Sequence, residues 1–282
     1  MNRKSLILIV ALVFLFSING CSSFKTRKRT QGREVPEIEA GGEAEIVKTL
    51  AAPMGKLVPG EKLTYKVSWL GMHVGEATLE VKKDEAQNNG ETCKVVLKAW
   101  TTSFFSFFYN VKGSIESIVD AQTFKPLKYN SKTNINKKFI FKEMDYDFEK
   151  LKVNAVDKKG KYVVDISADT LDPLGVFYYF RKNNVVLNEP VDILVNGGKK
   201  NFPVRIYATR EHFINTPAGR FWAFQVEPTR ESERQFDDSL DAEGSMRIWF
   251  SADMRRLPLI ILLNVPVGTA QATLTKIELP ES

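Results

Sequence analysis

The feature that most limits what this chain can become is alternation. In residues 63–69 the apolar side chains fall on Leu63, Tyr65, Val67 and Trp69, with polar ones between them. That is the period of a strand with one face buried and the other wet. After a turn carrying Gly71 and Gly75 the pattern resumes at Ala77, Leu79 and Val81, which predicts a hairpin. Further strands are predicted over 94–100, 113–120, 139–148, 162–166, 191–195, 202–209, 220–226, 245–250 and 269–278. Turn signals separate them, such as Asn88-Asn89-Gly90 and Asn196-Gly197-Gly198. Short strands joined by tight turns pair antiparallel, because parallel pairs need long crossovers. The fold class expected is mainly β: one antiparallel curved sheet, barrel-like or a sandwich, with one or two short helices.

Two segments break the rhythm. Residues 103–110, SFFSFFYN, are apolar on every side and suit a buried helix or loop plugging the fold; the alternative is an aromatic lip around an opening. A short helix is expected near Asp172, with Pro173 in its first turn, where a missing N–H costs nothing. Leu174, Phe177, Tyr178 and Arg181 would share one side of it. The apolar run 257–263 is too short for a spanning helix and contains Pro258, so it reads as a strand buried on both faces.

The N-terminus gives an address. Arg3 and Lys4 precede an apolar run over 6–16, which ends in Ile18-Asn19-Gly20-Cys21. This is the layout of a secretory signal and is too short to span a bilayer. The cut site resembles a lipobox, so residues 1–20 are expected to leave and Cys21 to carry acyl chains such as palmitate. Ser22 after the cysteine, by the same resemblance, implies the outer membrane, facing the periplasm. Residues 21–56 are poor in large apolar groups and read as a tether; residues 57–282 form one β-rich domain. With Cys21 acylated, Cys93 has no disulfide partner and is expected to be buried.

The phrases PGEKLTYKVSWLGMHVGEATLEV (59–81), DPLGVFYYFR (172–181), TPAGRFWAFQVEP (216–228) and GSMRIWFSADMRRLPL (244–259) together resemble an exported bacterial family, domain of unknown function 3108. The resemblance implies a curved antiparallel sheet in the cell envelope, and no catalytic residues.

Composition narrows function further. A net charge of +6 on 282 residues, with lysines and acids interleaved, does not indicate a nucleic-acid protein. The two histidines, His73 and His212, lie far apart and form no zinc motif. The acidic run containing Asp237, Ser239, Asp241 and Glu243 lacks the offsets of a calcium loop, and Asp172, Asp253 and Glu116 are not selected by spacing as an acid–base pair. No cofactor, metal or enzymatic activity is expected. The expectation is a non-catalytic binding or carrier module for an amphipathic lipid or glycan; the alternative is an assembly accessory that binds another envelope protein. The candidate ligand site combines Trp69, Tyr178, Arg181, Trp249, Asp253, Arg255 and Arg256, an aromatic floor with a cationic rim. Its competing reading is an Arg–Asp pair that pins a strand turn.

Overall fold

The computed structural model describes residues 50, 52–84, 91–228, 246–265 and 268–280. The signal segment, Cys21, the basic residues after it (Lys25, Arg27, Lys28, Arg29 and Arg33) and the acidic run containing Asp237, Ser239, Asp241 and Glu243 lie outside the described residues.

The strands are β1 (Lys62–Trp69), β2 (Met72–Lys83), β3 (Thr92–Thr101), β4 (Val111–Asp120), β5 (Pro126–Ile135), β6 (Lys138–Asp147), β7 (Lys152–Asp157), β8 (Gly160–Asp165), β9 (Thr170–Leu171), β10 (Pro190–Asn196), β11 (Asn201–Thr216), β12 (Gly219–Pro228), β13 (Met246–Ser251), β14 (Pro258–Val265) and β15 (Gly268–Glu278). Two short helices interrupt them, α1 (Ser103–Phe108) and α2 (Gly175–Lys182). All the strands belong to one sheet, ordered β8-β7-β6-β5-β4-β3-β2-β1-β15-β14-β13-β12-β11-β10-β9. Every pairing is antiparallel except β9 with β10. The first and last strands lie side by side at mid-sheet, with Leu63 opposite Ile277 and Trp69 opposite Ala270.

The mainly β expectation holds, but the barrel alternative does not. Strands β8 and β9 end the order and no ladder joins them. The sheet curls until its two ends meet across a seam made by side chains. Lys142 on β6 donates to the Gly197 carbonyl. Asn201 donates to the Asp165 carbonyl at 2.6 Å, and Lys199 pairs with Asp157 at 3.1 Å. The folded body supplies no membrane-crossing helix either: among the described residues none is long and apolar enough. Residues 258–263 lie in β14, so the strand expected over 257–263 is present, but Ile260, Ile261 and Leu262 are only half-buried and the strand is not buried on both faces throughout.

Alternation sets which face is inside. On β4 the buried positions are Val111, Gly113, Ile115, Ser117 and Val119, and on β1 they include Leu63, Tyr65 and Trp69. The concave face gathers Val81, Leu97, Ile115, Met144, Leu259 and Leu274 from both halves into one core. Each such side chain contributes roughly 1.5–3 kcal/mol by leaving water. A second cluster on β10–β13 packs Phe180 against Phe224 and Phe250. Helix α2 lies between the two clusters, and its Phe177 touches both.

Three strands escaped the sequence reading, the two-residue β9 among them. On β5 the inward positions after Tyr129 are Ser131 and Thr133, which are polar although buried. On β7 the inward pair is Val153 and Ala155, too brief an alternation to register. The plug reading of 103–110 is also overturned. Helix α1 has no buried residue, and Phe104, Phe107 and Phe108 are 70%, 86% and 64% exposed.

Candidate functional site

Helix α2 begins where Asp172 stops the chain. Its Oδ1 accepts from the Gly175 N–H at 2.6 Å, and its other oxygen accepts from the Ser117 hydroxyl of β4. The helix is thereby tied to the sheet by its first turn. Burial pushes the Asp172 carboxyl up to about 6, against the opposing pull of these hydrogen bonds.

Between the inner face of α2 and the concave sheet lies a hollow of about 60 Å³. Its wall includes Val67, Leu97, Ile115, Phe177, Leu263 and Ala272. The space exists because the inward positions of β2 and β15 carry small residues, Ala77, Ala270 and Ala272, while Pro173 and Leu174 cap it from above. Polar groups are few there. The Tyr65 hydroxyl is occupied, donating to the Pro258 carbonyl at 2.8 Å, and the Gln271 amide donates to Thr273 at 2.8 Å. A wider cleft of about 490 Å³ opens between α2 and β9–β10. Two of its charged groups are paired: Lys182 donates to the Thr123 carbonyl at 2.5 Å, and Asp192 holds Arg205.

The residues expected to make a cation-rimmed site are placed as follows. Arg181 is 1% exposed and pairs with Glu61, 2% exposed, at 2.9 Å. Its guanidinium lies 5.3 Å from the Tyr178 ring centre. Tyr178 is buried, its pKa is raised by burial, and its hydroxyl has no hydrogen-bond partner among the described residues. An orphan of that kind costs about 1–3 kcal/mol. Asp253 and Arg255 close on each other at 2.5 Å, and Asp253 also accepts from Ser251 at 2.9 Å. Burial pushes the Asp253 carboxyl up, but the bonds from Arg255 and Ser251 outweigh it and leave its pKa below the ordinary value. Arg256 is 1% exposed, donates to the Ala252 carbonyl at 3.0 Å and faces the Phe224 ring; burial lowers its pKa. The arginine–aspartate pair therefore pins the β13–β14 turn.

A strap joins these pieces. The Met54 N–H donates to the Met254 carbonyl at 2.8 Å, and the Gly55 N–H donates to the Arg181 carbonyl at 3.0 Å. It brings α2 and the 253–256 turn into one neighbourhood and covers the space between them. Trp69 lies elsewhere, packed with Val74, Leu263 and Ala270 at the end of the hollow nearest α1. Trp249 on β13 is half-buried against the main core.

The candidate site residues included none of the hollow's aliphatic wall, although Val67, Ala77, Leu79 and Leu174 were read as inward or helix-face positions. The signal was present as the inward half of each alternating strand, with alanines where leucines are usual. His73 and His212 sit on separate strands, both exposed, and among the described residues no group of three His, Cys, Asp or Glu side chains converges on a metal position. Cys93 is buried, its thiol pKa raised by burial.

A family model described as protein of unknown function (DUF3108) matches residues 64–275. No curated protein sequence matches the chain. Among solved structures, a β-barrel-like protein of domain of unknown function DUF1849 from Brucella abortus is similar at 9% identity, with 80% of this chain and 100% of that chain covered and a TM-score of 0.53. A protein assigned as exported, with a YmcC-like fold, from Bacteroides fragilis has 11% identity, coverage of 82% and 99%, and a TM-score of 0.30. A DUF1089-family protein from Pseudomonas aeruginosa has 9% identity, coverage of 74% and 92%, and a TM-score of 0.29. The first supports the same curled-sheet fold; at these scores the other two carry no structural argument.

Proposed function

The chain belongs to the DUF3108 family, and from that premise and the hollow beneath α2 we propose that it is a non-catalytic binding module for the acyl part of an amphipathic envelope lipid. The observation that carries this reading is the chemistry of the wall. A glycan brought into it would leave hydroxyls without partners, at roughly 1–3 kcal/mol each; a hydrocarbon loses nothing. Size sets a second condition. At about 60 Å³ the hollow is well below the ~150 Å³ that admits benzene. It takes the end of a chain as it stands, and a longer one enters only as Phe177 and α2 move aside. In this reading Cys21 carries acyl chains and holds the domain at the outer membrane, facing the periplasm; intact mass of the mature protein and of its Cys21→Ser variant tests that part.

The binding reading is tested by native mass spectrometry of the full chain after mild extraction, followed by titration with a fluorescent fatty acid. Ala270→Leu fills the hollow and is expected to abolish probe uptake, with folding checked by circular dichroism. Wild-type protein that returns without lipid and takes up no probe sinks the proposal. An accessory role is the second reading: β8 ends the sheet order and carries Val163, 64% exposed, and short of Asp165, whose carbonyl Asn201 takes at the seam, its edge offers a surface for a partner strand. Crosslinking in cells that traps one dominant protein through β8 would favour it.

A further inference from the structure

Helix α1 contradicts the usual economy of a fold. Three of its four phenylalanines stand in solvent, and they stand together, with Phe104 on Phe108 at 5.8 Å and Phe107 on Phe108 at 5.2 Å between ring centres, each pair edge to face. The helix fills the connection between β3 and β4. The β5–β6 turn is fastened beside it: Asn110 N–H donates to the Asn136 side chain at 2.8 Å, and Asn136 N–H donates back to the Asn110 carbonyl at 2.9 Å. That turn adds Phe139, 47% exposed. The β1–β2 turn on the same rim adds Leu70 and Met72, 54% and 47% exposed.

The rim is also cationic. Lys112, Lys137 and Lys138 are exposed around α1. The ladder sets no carboxylate opposite them: Lys112 faces Trp100 and Asn134, and Lys138 faces Ile135. Apolar rings that protrude rather than line a groove, ringed by lysines, match the boundary between acyl chains and anionic head groups. We infer that this rim docks on the surface of an anionic lipid bilayer. A second copy of the chain is the poorer occupant, because it would set these lysines against themselves. A protein partner would need a preformed socket for three rings, whereas acyl chains part around them. The inference is independent of the hollow: docking needs only the outer surface of the rim, although Phe105 on the inner side of α1 packs with Trp69 at the hollow's near end.

The test places a nitroxide at Ser103→Cys in the full chain, bound to phosphatidylcholine vesicles with or without phosphatidylglycerol. A control label is placed at Lys150→Cys, in the β6–β7 turn at the opposite rim. Accessibility to oxygen against a water-soluble relaxant reads depth. The expected result is immersion of the Ser103 site in phosphatidylglycerol vesicles while the Lys150 site stays aqueous. K112Q/K137Q/K138Q should lower the immersed-to-free ratio by roughly a hundredfold, from about fivefold per lysine charge removed, and F104S/F107S/F108S should remove immersion. High salt should weaken it, as the screening length falls to ~3 Å at 1 M. Both labels aqueous, both immersed alike, equal immersion without phosphatidylglycerol, or nitroxide–nitroxide broadening in the absence of lipid would each overturn the inference. Fatty-acid uptake by the hollow is measured separately, so failure here leaves that reading standing.

Discussion

Asp172 shows how one side chain is used against its own chemistry. Burial disfavours its charge, yet the helix start needs its oxygens as acceptors. With the folded pKa at about 6 and the unfolded value near 3.8, the folded state holds the proton more tightly. Its share of stability is therefore full below about pH 4 and is lost as pH rises through about 6, a swing of about 3 kcal/mol at most. Carboxylates such as Asp253 and Asp157, lowered by their partners, drive stability the opposite way, so the bare profile mixes signs. The difference between wild type and Asp172→Asn isolates it. In urea titrations between pH 4 and 7 the variant is expected to gain on the wild type as pH rises, with the Asn amide able to serve both Ser117 and Gly175. A parallel profile would show that Asp172 does not titrate in this range.

At the level of elements, the β2–β3 pairing depends on an absence. A Cβ at Gly75 would stand 2.5 Å from the Trp100 carbonyl oxygen of β3, a backbone atom with nowhere to go. Gly75→Ala is expected to lower the unfolding free energy by on the order of 2 kcal/mol or more, measured by denaturant midpoint at unchanged m. Elements were legible in proportion to how plainly their inward residues were apolar. Strands β1 to β4 announce themselves through positions such as Leu63, Leu79, Leu97 and Ile115. Strand β5 does not, because Ser131 and Thr133 face inward and a composition rule reads them as solvent-facing. Helix α2 was legible through Asp172, although Pro173, expected in its first turn, precedes the N-cap Leu174 and lies outside the helix. Helix α1 was legible as an irregularity but not in its orientation. Five aromatics in seven residues say nothing about which way they point; only the position of α1 in a rim connection, outside the curl, turns Phe104, Phe107 and Phe108 outward while Phe105 and Tyr109 pack inward.

For the molecule as a whole, closure was the part the sequence withheld. Whether a curled sheet becomes a barrel depends on backbone pairing between its two last strands, and here that place is taken by Lys142, Lys199 and Asn201 reaching across. Lys142 is 2% exposed, and burial lowers its pKa from 10.5 to about 8. Below pH 8 its charge is held at a cost of about 3 kcal/mol at most. Stability should thus rise as pH rises from 8 toward 10.5, where the unfolded chain still binds the proton and the folded one does not. Lys142→Met is expected to erase that rise in thermal unfolding followed across the same range; a rise that persists would place the titrating group elsewhere.

The adjacency of β1 and β15 at mid-sheet has a temporal consequence. The strand that joins the two half-sheets is built from residues 268–278, so a chain threaded amino-terminus first cannot unite its halves until nearly all of it has emerged. Until then each half offers a raw central edge to whatever passes. An escort that shields those edges, or a fast completion of the chain, is what such a wiring asks for.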